Sequence, residues 1–287
     1  MFNDKQFIVI TGASTGIGKA TAIHLDKLGF RVFAGIRKEA DGQALMNEAS
    51  DRLTPIILDV TDGNSVAAAV STVTEKTSGY LLGLVNNAGL SLNGPLELVP
   101  VTEMKKLMDV NVLGLLAVTQ AFIPLLRKGQ GRLVNISSGH GLLAIPDKSV
   151  YAASKFAVQA ISDSLRVELR PFGISVSCLV VGKVDTEVLG KIVAERDRMM
   201  KDAEPEITKL YSPLLEFFDK EVKGLAGIAP SEVGKVVAEA LMKKKPKAQY
   251  LVGPGAKKMK NLARLPVGLR DRLMYKAIYG KRSARET

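Results

Sequence analysis

The chain has 287 residues, 46% hydrophobic content and a formal net charge of +11, from 40 basic and 29 acidic residues, which fits a soluble globular protein with a proper core. One cysteine excludes an internal disulfide, and two histidines, His24 and His140, argue against a His-ligated metal site. There is no run of eighteen apolar residues and no secretory pattern at the N-terminus, so the expected setting is cytoplasmic and reducing, without a membrane-spanning helix.

FIVIT (7–11) reads as a buried strand and runs through Gly12, Gly16 and Gly18 into helical spacing at 17–28. Glycines at such a turn permit a tight bend and let backbone N–H groups approach a pyrophosphate at the positive end of a helix dipole. Further strands are expected at RVFAGI (31–36), TPIILDV (54–60), LLGLVN (81–86), GRLVNIS (131–137) and GISVSCLVV (173–181), the last holding Cys178 as a small core residue. Helices are expected at 42–50, 64–78, 102–126 and 150–170. This alternation predicts the α/β class: a doubly wound, Rossmann-type parallel sheet covered on both faces, with right-handed crossovers. No repeat or flexible linker divides the chain, so residues 1–253 are expected to form a single domain.

After Thr186 the pattern changes. Residues 187–228 are charged and helical, with Met199, Met200 and LLEFF at 214–218, and read as a substrate lid inserted in the domain. A helix starts at Pro230 and Ser231, and AQYLVG (248–253) reads as the last strand. Residues 254–287 form a C-terminal extension. From Gly255 onward it carries ten basic residues, among them Lys281, Arg282 and Arg285, against Asp271 and Glu286. Leu269, Leu273, Met274, Ala277 and Ile278 make an apolar stripe, with Pro266 near the helix start. Such a basic amphipathic helix suits packing on the domain, a subunit interface, an anionic membrane surface or an acidic carrier protein. Nothing accompanies the charge that would indicate nucleic acid.

The spacing Gly-x-x-x-Gly-x-Gly after Thr11, in TGASTGIG, resembles the short-chain dehydrogenase/reductase family in its single-domain branch. The resemblance extends from residue 7 to about 186, motif by motif. Asp59 in LDVT matches the acid that contacts adenine, with Val60 beside it, and Asn86–Gly89 (NNAG) matches the motif after the fourth strand. Asn111 matches the catalytic asparagine, and Ser138, Tyr151 and Lys155 match the catalytic serine and the Tyr-x-x-x-Lys pair. After the sixth strand Val181 stands where the family has proline, while Gly182, Val184 and Thr186 are kept. The resemblance therefore implies catalytic Asn111, Ser138, Tyr151 and Lys155. It implies cofactor contacts from Gly12, Ser14, Gly16, Ile17, Gly18, Arg37, Asp59, Val60, Asn86, Tyr151, Lys155, Val184 and Thr186, with no metal.

Tyr151 and Lys155, four apart, share one helical face. A free tyrosine is protonated at neutral pH, and a nearby cation is expected to lower its pKa so that it serves as general acid toward a ketone or general base toward an alcohol. Ser138 is expected to hold the substrate oxygen. The resemblance implies that Lys155 bonds the nicotinamide ribose and that Asn111 supports a water-linked relay to Lys155. His140 has no evident acid partner and reads as a pocket-lining or surface histidine. His24 reads as an ordinary helix residue.

The second strand sets cofactor choice. Its end holds Ile36 where NAD-preferring members carry an acid, and Arg37 follows as a charge-assisted partner for a 2′-phosphate, with Ser14 within reach. The expectation is NADP(H). The lid is rich in Leu, Met and Phe, which favours a lipophilic substrate resembling a steroid, a retinoid or another lipid alcohol. The rivals are a 3-oxoacyl-carrier-protein reductase and, from another class, a non-catalytic dinucleotide-binding sensor or scaffold. The resemblance implies a homodimer or homotetramer formed through the helices at 102–126 and 150–170.

Overall fold

The β-branched runs form seven parallel strands in a computed structural model that describes residues 6–186, 188–224 and 226–280. The strands are β1 (Phe7–Ile10), β2 (Arg31–Ile36), β3 (Leu53–Ile57), β4 (Gly83–Asn86), β5 (Arg132–Ser138), β6 (Ser175–Val181) and β7 (Gln249–Val252). Their order is β3-β2-β1-β4-β5-β6-β7. The winding reverses between β1 and β4, where a doubly wound sheet opens its binding crevice. Pro55 lacks a ladder N–H and lies in β3, an edge strand, where that loss is tolerated.

Helices cover both faces, as the near-continuous apolar strands require. On one face α1 (Gly16–Lys27), α2 (Glu39–Met46) and α9 (Pro230–Met242) bury Ala22, Leu25, Leu45, Val233, Val237 and Leu241 against the sheet. On the other, α3 (Gly63–Thr77) and α5 (Leu115–Gly129) bury Val66, Val73, Val118 and Phe122. The long helix α6 (Ser149–Glu168) carries Tyr151 and Lys155 along the same side.

One expected helix is divided. The segment at 102–126 becomes α4 (Val101–Met108), a π-helical turn at Asp109–Gly114, and α5. The whole run Val101–Gly129 is long and apolar enough to cross a membrane by length and composition, a property not expected from the sequence. Here its apolar side, through Val118, Phe122, Leu125 and Leu126, is buried against the sheet. The tail forms two helices, α10 (Ala256–Leu262) and α11 (Val267–Tyr279), because Pro266 lacks an N–H to continue the first and sits at the start of the second. The segment expected as a lid comprises two helices, α7 (Val188–Asp202) and α8 (Pro205–Gly224). Lys281, Arg282, Arg285 and Glu286 lie outside the described residues.

Candidate active site

The turn after β1 uses its glycines for distinct physical reasons. Gly12 and Gly16 have φ of 64° and 55°, the left-handed region that glycine enters without penalty. Gly18 is required for close approach: a Cβ there would lie 2.2 Å from the Gly12 carbonyl oxygen and 2.4 Å from Asn87 Nδ2. The turn is latched to the segment after β4. Thr11 Oγ1 accepts the Asn87 and Ala88 N–H groups at 3.0 and 2.9 Å, and Asn87 Nδ2 donates to the Thr11 and Gly12 carbonyls at 3.0 Å each. No side chain caps α1, so its first-turn N–H groups are left for an anion in the crevice.

A cleft of about 810 Å³ runs from this turn across the carboxyl ends of the strands. The end of the cleft at this turn is lined by Gly12, Ser14, Gly16, Ile17, Gly18, Arg37, Asp59 and Val60. Asp59 accepts from the Thr61 N–H and hydroxyl at 2.9 and 2.7 Å, which hold its pKa below the usual carboxylate value. Asn86 does not line the cleft. It is buried between strands, its Nδ2 donating to Thr119 Oγ1 and Asn135 Oδ1 at 2.8 and 2.9 Å, so the cleft wall comes from Asn87, Ala88 and Gly89 instead. The NNAG motif points to this segment, but strand alternation turns Asn86 inward.

At the middle of the cleft β5 delivers Ser138 and the first two turns of α6 deliver Tyr151 and Lys155. Lys155 Nζ donates to the Ile136 carbonyl at 3.1 Å and stands 5.8 Å from the Tyr151 ring centroid. The expected lowering of the Tyr151 pKa is reversed: burial pushes the phenol above its ordinary value, against the pull of the Ser138 hydroxyl. The same loss of water draws Lys155 down to about 8, which weakens it as a stabilising cation. Tyr151 is therefore protonated at neutral pH and placed as a proton donor.

Asn111 stands behind this wall and not in it. The π-helical turn, of a kind frequent at functional sites, points its carboxamide at the loop after β4. Oδ1 accepts the Leu90 N–H at 2.7 Å, and Nδ2 donates to the Leu90 carbonyl and to Ser154 Oγ at 2.9 and 3.0 Å. Asn111 holds that loop against α6, and no direct bond joins it to Lys155. Both flank Gly89, where a Cβ would lie 3.3 Å from Asn111 Oδ1 and 3.6 Å from Lys155 Nζ.

Val184 and Thr186 line the cleft on the loop after β6. Val184 pairs with Ile228 in a short bridge that ties together the two ends of the segment 187–228. Asp185 N–H donates to Ile228 O at 2.9 Å, and Ile228 N–H to Lys183 O at 3.1 Å. The lid supplies Val193, Phe217 and Phe218 to the cleft. Arg196 of α7 pairs with Asp219 of α8 at 2.7 Å and joins the two lid helices.

The tail completes the cavity. Met259, Leu262, Leu273, Met274, Ala277 and Ile278 line the cleft, and a Cβ on Gly139 would meet Met259 Sδ at 2.5 Å. The stripe thus faces the cleft without being buried: Leu273 is as exposed as Leu269, at 47% and 46%, and no residue of α11 is fully covered. No motif in the sequence signals these contacts.

A family model for the short chain dehydrogenase matches residues 6–197. The chain is 33% identical over 278 residues to retinol dehydrogenase 7 of Mus musculus, covering 94% of this chain and 88% of that protein. It is 32% identical over 265 residues to 3-amino-tetrahydro-pyrrolizinone reductase of Xenorhabdus hominickii, covering 91% of each. Among solved structures, a short-chain dehydrogenase from Streptomyces avermitilis superposes with a TM-score of 0.76 at 26% identity, covering 100% of this chain and 99% of that one. One from Burkholderia cenocepacia J2315, in complex with NADP, gives 0.72 at 26% identity, covering 95% and 99%.

Proposed function

The chain belongs to the short chain dehydrogenase family, and on that premise we propose that it is an NADP(H)-dependent oxidoreductase interconverting a secondary or primary alcohol and its carbonyl on a lipophilic substrate. The observation that carries this reading is the meeting of Ser138, Tyr151 and Lys155 where a glycine-built nucleotide crevice runs into an apolar cleft. The uncapped start of α1 would hold the pyrophosphate of a nicotinamide cofactor, which would supply the hydride. The protein's own groups do the rest. Ser138 Oγ holds the substrate oxygen, and Tyr151 donates its proton to that oxygen in reduction or takes it in oxidation. Lys155 and the loop after β6 would hold the nicotinamide ribose and amide.

Arg37 in the cleft wall and the buried Ile36 at the end of β2 support NADP(H) over NAD(H), since no acid stands there to repel a 2′-phosphate. The Burkholderia relative's bound NADP is in keeping with this. Fluorescence titration with NADPH and NADH tests it: NADPH should bind more tightly, and Arg37→Ala should erase the preference. Tyr151→Phe should bind NADPH yet lose turnover on lipophilic ketones. Equal or tighter NADH binding would overturn the cofactor assignment, and turnover retained in Tyr151→Phe would overturn the mechanism.

The exposed Leu113, Leu116, Phe156 and Val167 on the paired long helices support association of two or four copies through that face. Val267, Leu269 and Tyr275, with Arg272 and Lys276 among them, face outward on α11 and support contact with an anionic membrane that would deliver a lipophilic substrate. Co-sedimentation with anionic and neutral vesicles tests the second point. Binding to neither would refute it.

A further inference from the structure

The substrate half of the cleft is largely apolar, yet it carries a polar atom the chemistry above does not use. His140 follows Ser138 in the short helical turn Gly139–Gly141 that closes β5, where its own N–H donates to Ser138 Oγ at 3.3 Å. Its ring packs edge-on against the Tyr151 ring, with centroids 5.8 Å apart and planes at 70°. It lines the cleft, and its Nδ1 is buried without any hydrogen-bond partner. A buried nitrogen left in that state costs about as much as a lost hydrogen bond, so its retention beside the reacting atoms calls for a partner.

The ring's charge state narrows the partner. Burial draws the imidazole down to about 3, with Lys148 acting in the same direction, so His140 is neutral and does not attract anions. A backbone hydrogen bond at Leu143 favours a proton on the ring. With the ring proton on Nε2, the unpartnered Nδ1 is an acceptor. An acceptor in a dry, apolar wall selects a hydroxyl and rejects a bare methylene, because only the hydroxyl fills both the space and the hydrogen bond.

We propose that His140 is a specificity-determining residue whose Nδ1 accepts a hydrogen bond from a second hydroxyl of the substrate, carried on a carbon next to the one that reacts. The inference rests on the oxidoreductase reading and deepens it: the preferred substrate is a lipophilic hydroxy ketone, or the vicinal diol it yields. Asn93 Oδ1 is a second unpartnered acceptor in the cleft wall, under the lid, where Gly94 N–H donates to the Asp147 carbonyl and Met199 lies close. Asn93 is the internal control for position.

The test compares methyl octyl ketone with hydroxymethyl octyl ketone on the NADPH-loaded protein, by quenching of bound NADPH fluorescence and by NADPH oxidation. Wild type should favour the hydroxy ketone about tenfold in Kd and in kcat/KM. In His140→Phe, which keeps the ring contact with Tyr151 but removes the nitrogens, the ratio should fall to near one. In His140→Asn, which sets a polar atom close to the place of Nδ1, most of it should remain. Asn93→Leu should leave the ratio in place. Equal affinity of wild type for both ketones, or a preference that survives His140→Phe or vanishes in Asn93→Leu, would overturn the inference. A binding preference that follows His140 with no oxidation of NADPH for either ketone would support the inference and sink the ketone-reduction reading alone.

Discussion

Asp147 precedes α6 and is held in a conformation that asparagine shares but most residues avoid, with φ of 69°. It is 5% exposed, and neither carboxyl oxygen has a hydrogen-bond partner. Burial pushes its pKa up from 3.8 to about 6, although Lys148 and Arg196 pull it down. Because the folded value lies above the unfolded one, the folded state keeps a proton that the unfolded chain has lost between pH 3.8 and about 6. Stability from this group is therefore full below the unfolded pKa and lost as pH rises through the folded one. At 1.36 kcal/mol per pH unit, the loss is about 3 kcal/mol. Asp147→Asn removes the ionisation and keeps the shape and the backbone preference. Part of the gain is offset because Asp147 supports the charge on Lys148, which burial has already brought down to about 8. The expected outcome at pH 7.5 is a stabilisation of about 1–3 kcal/mol that shrinks to near zero by pH 4. Urea unfolding of both proteins across that range measures it. A variant less stable at pH 7.5, or a difference that does not vary with pH, would refute the reasoning.

Other predictions follow from the site. Tyr151, raised by burial, is protonated through neutrality, so carbonyl reduction should hold through neutral pH while alcohol oxidation climbs into the alkaline range. Initial rates in both directions check this, and a reduction rate falling already at pH 7 would contradict it. Gly18→Ala puts a methyl group 2.2 Å from the Gly12 carbonyl oxygen, so the turn must shift. NADPH affinity should drop tenfold or more, with about 1–3 kcal/mol lost from stability, read by titration and Tm. Helix α11 has no buried residue, so deleting residues 266–287 should leave the protein folded and able to bind NADPH. The roof of the cleft is lost, and KM for lipophilic ketones should rise severalfold; an unchanged KM would show that α11 does not contact substrate.

The sequence made legible what depends on local backbone demands. Gly12, Gly16 and Gly18 carry constraints any reader of a strand–turn–helix can name, and β-branched runs announce strands whose parallel order follows from the alternation itself. Chain polarity also fixed that Ser138, Tyr151 and Lys155 would meet at the carboxyl edge of the sheet. What stayed hidden is non-local. Asn86 and Asn87 differ by one residue, and only the register of β4 sends the first into the sheet and the second to the glycine turn. The π-helical turn that aims Asn111 at Leu90 adds no mark to the apolar spacing of 102–126.

The direction of the Tyr151 shift was misread because two residues four apart on a helix reveal proximity and not hydration. Their charges depend on how much water the surrounding α5, β5 and tail exclude, and the sequence has no pattern for that. The tail is the sharpest case. Its stripe and charge left packing on the domain, a subunit interface, a membrane surface and an acidic carrier all open, and Met259 lies on Gly139, one residue from Ser138. The cations lie largely off the apolar stripe, so the same helix can roof a cleft with one face and offer charge to a membrane with the other. On the proposed reading, substrate choice falls to the segment 187–228, the tail and His140, which no shared motif marks, and the reaction to the residues that motifs do mark. On this division a swap of α10 and α11 between relatives should move substrate preference without moving cofactor preference. A coupled change in both would mean that the tail reaches further into the nucleotide end than Lys258 and Met259 place it.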